Sequence, residues 1–184
     1  MLLLVILWII ASAFITVVSR RTLKQPGSHG FYRFFAWEAI LTLALLNIQG
    51  WFIDPFSPNQ VISWILLFVS LIPLILGLGL LGKRGASRGR DESSANFAFE
   101  NTTRLVTTGV YAYIRHPLYA SLLCLTWGIY AKDPLSIAGI LLALIASVFL
   151  YLTARSEEEE NIRSFGVAYE GYMKKTWRFI PYVF

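Results

Sequence analysis

The residues that could do chemistry in this chain fall into three short groups. Arg115-His116-Pro117-Leu118-Tyr119 sets a cation, an imidazole, a helix-starting proline and an aromatic at the edge of the apolar run Ala120 to Tyr130. Four consecutive glutamates, Glu157 to Glu160, come about 40 residues later. Phe165-Gly166, Tyr169, Tyr172 and Arg178-Phe179-Ile180-Pro181 complete the set. Together they offer carboxylates for hydroxyls or an ammonium, cations for a carboxylate or phosphate, and aromatic faces for a base or an onium group. His29 and His116 are the only histidines. One histidine beside a glutamate run is not a metal-ligand pattern, so no metal is expected. No G-x-S-x-G or comparable nucleophile signal occurs.

These groups have to be positioned by membrane helices. The 184 residues are 56% hydrophobic and 15% charged, with a mean hydropathy of +0.58. A soluble domain carries closer to a quarter charged residues. The apolar residues also come in long runs, so the expected class is an all-α integral membrane protein. Five spans are expected: Met1 to Val18, Phe34 to Ile53, Val61 to Leu81, Pro117 to Tyr130 and Leu135 to Leu152. The basic pair Arg20-Arg21 follows the first run, the reverse of a signal peptide, so that run reads as a span.

Glu38 lies near the basic end of the second span, where Arg33 or Arg21 could pair with it. Gly77-Leu78-Gly79-Leu80-Leu81-Gly82 fits G-x-G-x-x-G, but a transmembrane run precedes it where a dinucleotide fingerprint needs a strand. The favoured reading is close helix packing. Lys83 to Arg104 reads as a polar loop, with Asn101-Thr102-Thr103 a glycosylation sequon by pattern only. Leu105 to Tyr111 reads as two short extended pieces joined at Thr108-Gly109, and Arg155 to Phe184 as an amphipathic tail. Cys124 stands alone in an apolar run, which excludes an internal disulfide and reads as a small buried hydrophobe.

Charge sets the expected orientation. With the N-terminus outside and the C-terminus cytoplasmic, fifteen of the 16 Lys and Arg residues fall on the inner side, and Lys132 alone falls outside. The net charge of +5 is then a topology signal, not a nucleic-acid footprint. Spans four and five form a hairpin, which returns the glutamates to the face that His116 leaves. Every polar group named above then faces the cytoplasm.

The strings LVTTGVYAYIRHPLYAS, EEEENIRSFGVAYEGY and RFIPYVF resemble the isoprenylcysteine carboxyl methyltransferase family. They also resemble the wider group of small membrane methyltransferases that includes the phospholipid N-methyltransferases. The resemblance covers Leu105 to Pro181 in order and approximate spacing. It implies one domain over residues 1–184, with three N-terminal spans in 1–82 and a cofactor-binding half in 105–184. It implies S-adenosylmethionine as methyl donor and a lipophilic acceptor entering from the bilayer, such as a prenylcysteine-like carboxylate or a lipid. The cofactor wall implied is Gly109, Tyr111, His116, Pro117 and Tyr119, the acidic pair Glu157 and Glu158, and Phe165, Gly166, Tyr169 and Tyr172. Arg115 and Arg178 fall on arginines that would orient an anionic acceptor. The alternative is an NADPH-dependent membrane reductase of the sterol or steroid type, whose C-terminal segment has a similar proline-aromatic pattern.

Overall fold

The computed structural model of the chain describes residues 2–84 and 104–183. Among these residues the architecture is helical, with no strand beyond one isolated bridge, Ile114 to Trp177. Six α-helices run in order: α1 Leu2–Ser19, α2 His29–Leu46, α3 Pro58–Arg84, α4 Pro117–Tyr130, α5 Ile137–Phe165 and α6 Val167–Met173. By length and composition α1, α3 and α5 can each cross a membrane, and α4 is a shorter apolar helix.

Local chemistry explains most boundaries. Ser28 caps α2 by accepting from the Phe31 amide at 3.2 Å, and Ser136 caps α5 by accepting from Gly139 N at 3.1 Å. Pro58 and Pro117 each open a helix, where the missing N–H has no intrahelical partner to lose. Gly166, at φ +57°, ends α5 and turns the chain into α6.

The core is built from small residues. Ala36, Ala39 and Leu43 of α2 pack on Ala143, Ala146, Leu150 and Ala154 of α5, all nearly inaccessible. Alanine at helical spacing lets two backbones approach, and packing of this kind holds helices together where lipid removes the hydrophobic drive between them. α3 packs on α4 in the same way. A Cβ on Gly77 would meet Pro117 and Leu118 at 3.2 Å, and one on Gly128 would meet Leu67 at 3.1 Å. Close packing is therefore the role of Gly77, whereas Gly79 and Gly82 have nothing within 4 Å. α1 lies outermost against α2, with Leu2, Leu3 and Phe14 exposed as a lipid-facing helix requires.

Several expectations change. The second helix begins at His29, five residues before Phe34, and ends at Leu46. Glu38 accepts a hydrogen bond from the Ser12 hydroxyl of α1. Leu105 to Tyr111 is not a pair of extended pieces, because Gly109–Ala112 forms a 3-10 turn. Most importantly, the fifth helix does not stop at Leu152. It continues unbroken to Phe165, so the glutamates stand on the same rod as the apolar span and the expected tail starts only at α6. α4 packs chiefly on α3, and α5 on α2, so the expected hairpin is one contact of a larger bundle. The sequon and the loop residues 85–103 lie outside the described residues.

Candidate active site

The run of four glutamates is separated by the helix that carries it. Successive residues turn by about 100°, so the four side chains take four directions. Glu157 faces a cavity inside the bundle. Glu158 faces the segment before α4 and the C-terminal segment. Glu159 points outward to Arg155, with both side chains more than half exposed. Glu160 reaches the start of α2, where its carboxylate meets His29 Nδ1 at 2.7 Å and the His29 amide at 3.2 Å.

Glu158 is the most heavily bonded of these groups. Arg115 Nε donates to it at 2.8 Å, Arg178 Nη2 at 2.6 Å and Arg178 Nε at 3.2 Å. Its side chain is 4% exposed. Arg115 also donates to the carbonyls of Met173 and Thr176. The backbone reinforces the joint: Arg115 N donates to Trp177 O at 2.8 Å and His116 N to Arg178 O at 3.1 Å. Three segments distant in sequence are thus tied at one carboxylate. An ion cluster buried this deeply persists only when its charges are paired and hydrogen-bonded, as these are.

His116 links that cluster to the cavity. It is the N-cap residue of α4, buried, with Nε2 at 3.3 Å from Glu158 and Nδ1 at 3.6 Å from Glu157. Its ring stacks on Tyr119, centroids 5.5 Å apart at 19°. Burial pulls the imidazole pKa down, but the two neighbouring carboxylates outweigh burial and leave it raised, favouring the cation.

The cavity encloses about 290 Å³. One side is aromatic and polar. Tyr111, Tyr169 and Tyr172 come from the 3-10 turn and α6, with Glu157, Asn161 and Phe165 one turn apart along α5. Tyr172 donates to the Tyr111 carbonyl at 2.7 Å, and Tyr169 packs edge-on against Tyr172. Burial raises the pKa of all three phenols, so they remain neutral donors. The other side is apolar, supplied largely by leucines of α3 and α4. Gly109 supports the turn from behind. Its φ is +63°, and a Cβ there would come within 2.6 Å of Leu80.

Of the residues assigned to the cofactor wall or the acceptor from the sequence, Gly109, Glu158, Gly166 and Arg178 stand off the cavity wall, and Tyr111, Arg115, His116, Pro117, Tyr119, Glu157, Phe165, Tyr169 and Tyr172 line it. Arg178 lies over the Tyr151 ring at 4.9 Å. The sequence reading missed Arg33 and Trp37 of α2, the α3 leucines and Asn161. Asn161 follows Glu157 at i+4 and precedes Phe165 at i+4, a helical stripe that a longer fifth helix would have exposed. No group of three or more His, Cys, Asp or Glu gathers at metal-binding distance among the described residues.

A profile of known sequences, described as phospholipid methyltransferase, matches residues 65–166, more than half of the chain. The chain belongs to the phospholipid methyltransferase family. The match spans α3, α4 and α5, and so includes His116 and the glutamates. Curated relatives lie further away. The nickel-cobalt-cadmium resistance protein NccN of Alcaligenes xylosoxydans xylosoxydans is 32% identical over 110 residues, 58% of this chain and 50% of that one. The cobalt-zinc-cadmium resistance protein CzcN of Cupriavidus metallidurans is 27% identical over 151 residues, 82% of this chain and 64% of that one. Protein-S-isoprenylcysteine O-methyltransferase of Dictyostelium discoideum is 35% identical over 81 residues, 42% of this chain and 32% of that one. The chain therefore spans about half to two thirds of the length of the first two, and a third of the last.

Proposed function

We propose that this protein is an S-adenosylmethionine-dependent membrane methyltransferase whose acceptor is lipophilic, either a prenylcysteine-like carboxylate or a lipid. The observation that carries this reading is the two-sided cavity. A carboxylate, an amide and three tyrosines face leucines across it, inside a chain of the phospholipid methyltransferase family. The polar side fits the methyl donor, whose ammonium and hydroxyls need a carboxylate and whose base and sulfonium need aromatic faces. When bound, the donor supplies an electrophilic methyl group, so the protein has little covalent chemistry to do.

In this reading Glu157, Tyr111, Tyr169 and Tyr172 hold the donor, with His116, Pro117, Tyr119 and Phe165 completing its wall. Glu158 and Arg178 act from behind by fixing His116 and the C-terminal segment, and Arg115 joins that cluster to the cavity wall. A shared cavity holds the two reactants together, which is the main rate term available. A carboxylate acceptor needs no base. An amine or thiol acceptor has a proton to lose, and Glu157, the carboxylate on the cavity wall, is the candidate to take it.

We place the cavity at the cytoplasmic end of five spans, α1 to α5. Fifteen of the 16 basic residues support that orientation. At 14 residues, α4 rises only about 21 Å, less than the hydrocarbon thickness, so its His116 end sits below the inner surface, within reach of both water and lipid. In a variant without Cys124, a cysteine at Ser57 is expected to react from outside and one at Gln25 from inside; reversed labelling would refute the orientation.

Calorimetric titration of the purified protein with S-adenosylhomocysteine and with NADPH tests the activity class. Saturable binding of S-adenosylhomocysteine, weakened at least tenfold by Glu157→Gln, is the expected result. Binding of NADPH alone would replace this reading with a reductase.

A further inference from the structure

The apolar part of the cavity wall has a regular construction. Three helices each contribute a pair one turn apart: Arg33 and Trp37 from α2, Leu74 and Leu78 from α3, Leu118 and Leu122 from α4. Residues at i and i+4 stack along one face of a helix. These pairs therefore make three rows, and five of the six side chains are apolar. The sixth is a guanidinium. Arg33 is 3% exposed, and its Cζ lies 5.1 Å from the Trp37 ring centroid, with Tyr119 as a side-chain hydrogen-bond partner and the carboxylates of Glu157 and Glu160 in electrostatic reach. Stacking on an indole fixes the plane of a guanidinium, and a planar fork suits a carboxylate or phosphate better than any neutral group.

A donor bearing a base, a sugar and an amino acid presents polar groups over most of its surface, and five apolar side chains would leave those groups unpaired. An alkyl or isoprenoid chain loses nothing there. Leu78 lines the cavity and is 41% exposed, so this row is not sealed inside the bundle. α2 also lies outside residues 65–166, the part shared with the family profile. The element that brings the cation is thus separate from the shared region that carries most of the polar wall.

Resting on the methyltransferase reading, we propose that Arg33, held in plane by Trp37, is the acceptor-selecting residue. It receives the anionic head, carboxylate or phosphate, of an amphiphile whose chain lies along the α3 and α4 leucines.

The test uses full-length protein in detergent micelles and water-soluble probes: octanoate, octyl phosphate and neutral octanamide, each titrated with and without saturating S-adenosylhomocysteine. Both anions, or one of them, should bind saturably and at least tenfold more tightly than octanamide. Arg33→Ala should remove that preference, Arg33→Lys should keep part of it, and Trp37→Leu should weaken it. All three variants should bind S-adenosylhomocysteine within about twofold of the parent. Tighter octyl phosphate identifies a phospholipid-like head, and tighter octanoate a carboxylate. Equal binding of anion and amide, or no probe binding to the parent, overturns the proposal. So does a matching loss of S-adenosylhomocysteine affinity in Arg33→Ala, which would make Arg33 a donor ligand. If the parent binds the anions selectively but not S-adenosylhomocysteine, the methyltransferase reading fails and the selectivity of Arg33 stands.

Discussion

The two ends of the helix bundle both bury charge, and they use it differently. At the end away from the cavity, the outer end in the proposed orientation, Lys132 is 3% exposed, donates to Gln60 Oε1 at 2.9 Å and lies 3.6 Å from the Trp64 ring centroid. The polar side chains around it turn onto backbone. Asn47 donates to Ile129 O, Gln60 to Gly50 O and Ser63 to Gly128 O, at 2.7 to 2.9 Å. These are helix-end and turn carbonyls, which lack intrahelical partners and need one where water is scarce. At the inner end Glu158 plays the matching structural part, cross-linking segments through two arginines. The inner end adds a second layer, in which Glu157, His116, Asn161 and the tyrosines line a cavity. Burial and hydrogen bonding mark both ends, so neither identifies a site. Polar groups gathered around a cavity do.

The largest expected effect separates those two inner layers. Glu158→Ala leaves Arg115, Arg178 and His116 buried without their common carboxylate, and should cost about 3–5 kcal/mol of stability. Thermal unfolding in detergent would show it as a large fall in the midpoint, or as failure to fold. Glu157→Gln, one residue away, loses only its longer contact with His116 and should cost clearly less, about 1–2 kcal/mol. If the two variants unfold alike, the division of the glutamates into a structural and a ligand-facing member is wrong.

Next comes the outer end. Lys132→Met keeps the apolar stem but removes the ammonium from between Trp64 and Gln60. Losing a desolvated cation–π contact and leaving Gln60 Oε1 unpaired should cost about 1–3 kcal/mol. Affinity for S-adenosylhomocysteine should stay within about twofold of the parent, because Lys132 belongs to the other end of the bundle. A large loss of that affinity would mean the outer network positions the cavity, and the contrast between the ends would fail.

How far these roles could be read from sequence depended on what each residue's neighbours revealed. That His116 and the glutamate run lie together was legible from the hairpin and the motif, and Tyr111 from the motif alone, but which glutamate faces the cavity was not. Arg33 was not, since an arginine at the start of a span looks the same whether it marks the cytoplasmic side or lines a pocket. The N-terminus of α2 was missed because His29 and Gly30 resemble a loop, although Ser28 before an aromatic run is an N-cap signal. The length of α5 was misjudged on hydropathy, which drops at Arg155. Helix propensity gave the better answer, because arginine and glutamate are strong formers and no breaker appears before Gly166. The turn at Gly109–Ala112 misled in the opposite way. Val, Thr and Tyr favour strands only where a partner edge exists, and the edge formed here is a single bridge, Ile114 to Trp177.

A smaller effect should appear with pH. The His116 pKa is raised in the fold because the carboxylates of Glu157 and Glu158 overcome burial. A raised histidine contributes stability that is fully present below its unfolded pKa, near 6.5, and is lost as pH rises through the folded value. The unfolding midpoint of the parent should therefore fall across that window. Subtracting the His116→Asn profile isolates this contribution, and identical slopes in the two proteins would show that His116 does not hold a proton between the glutamates.

The smallest effect is expected one residue beyond Glu158. Arg155 Nε lies 3.6 Å from Glu159 Oε1, an i,i+4 pair on the solvent side of α5 with side chains 63% and 58% exposed. Water screens such a pair, and holding two long side chains together has an entropic cost, so the double change Arg155→Ala, Glu159→Ala should shift stability by less than about 0.5 kcal/mol. Binding of S-adenosylhomocysteine should not move. Alanine is the best helix former, so a measurable loss would have to come from the pair itself, not from fraying of the helix. Such a loss would mean that the exposed face of α5 is covered in the intact membrane protein, and that the glutamate run has a third working direction.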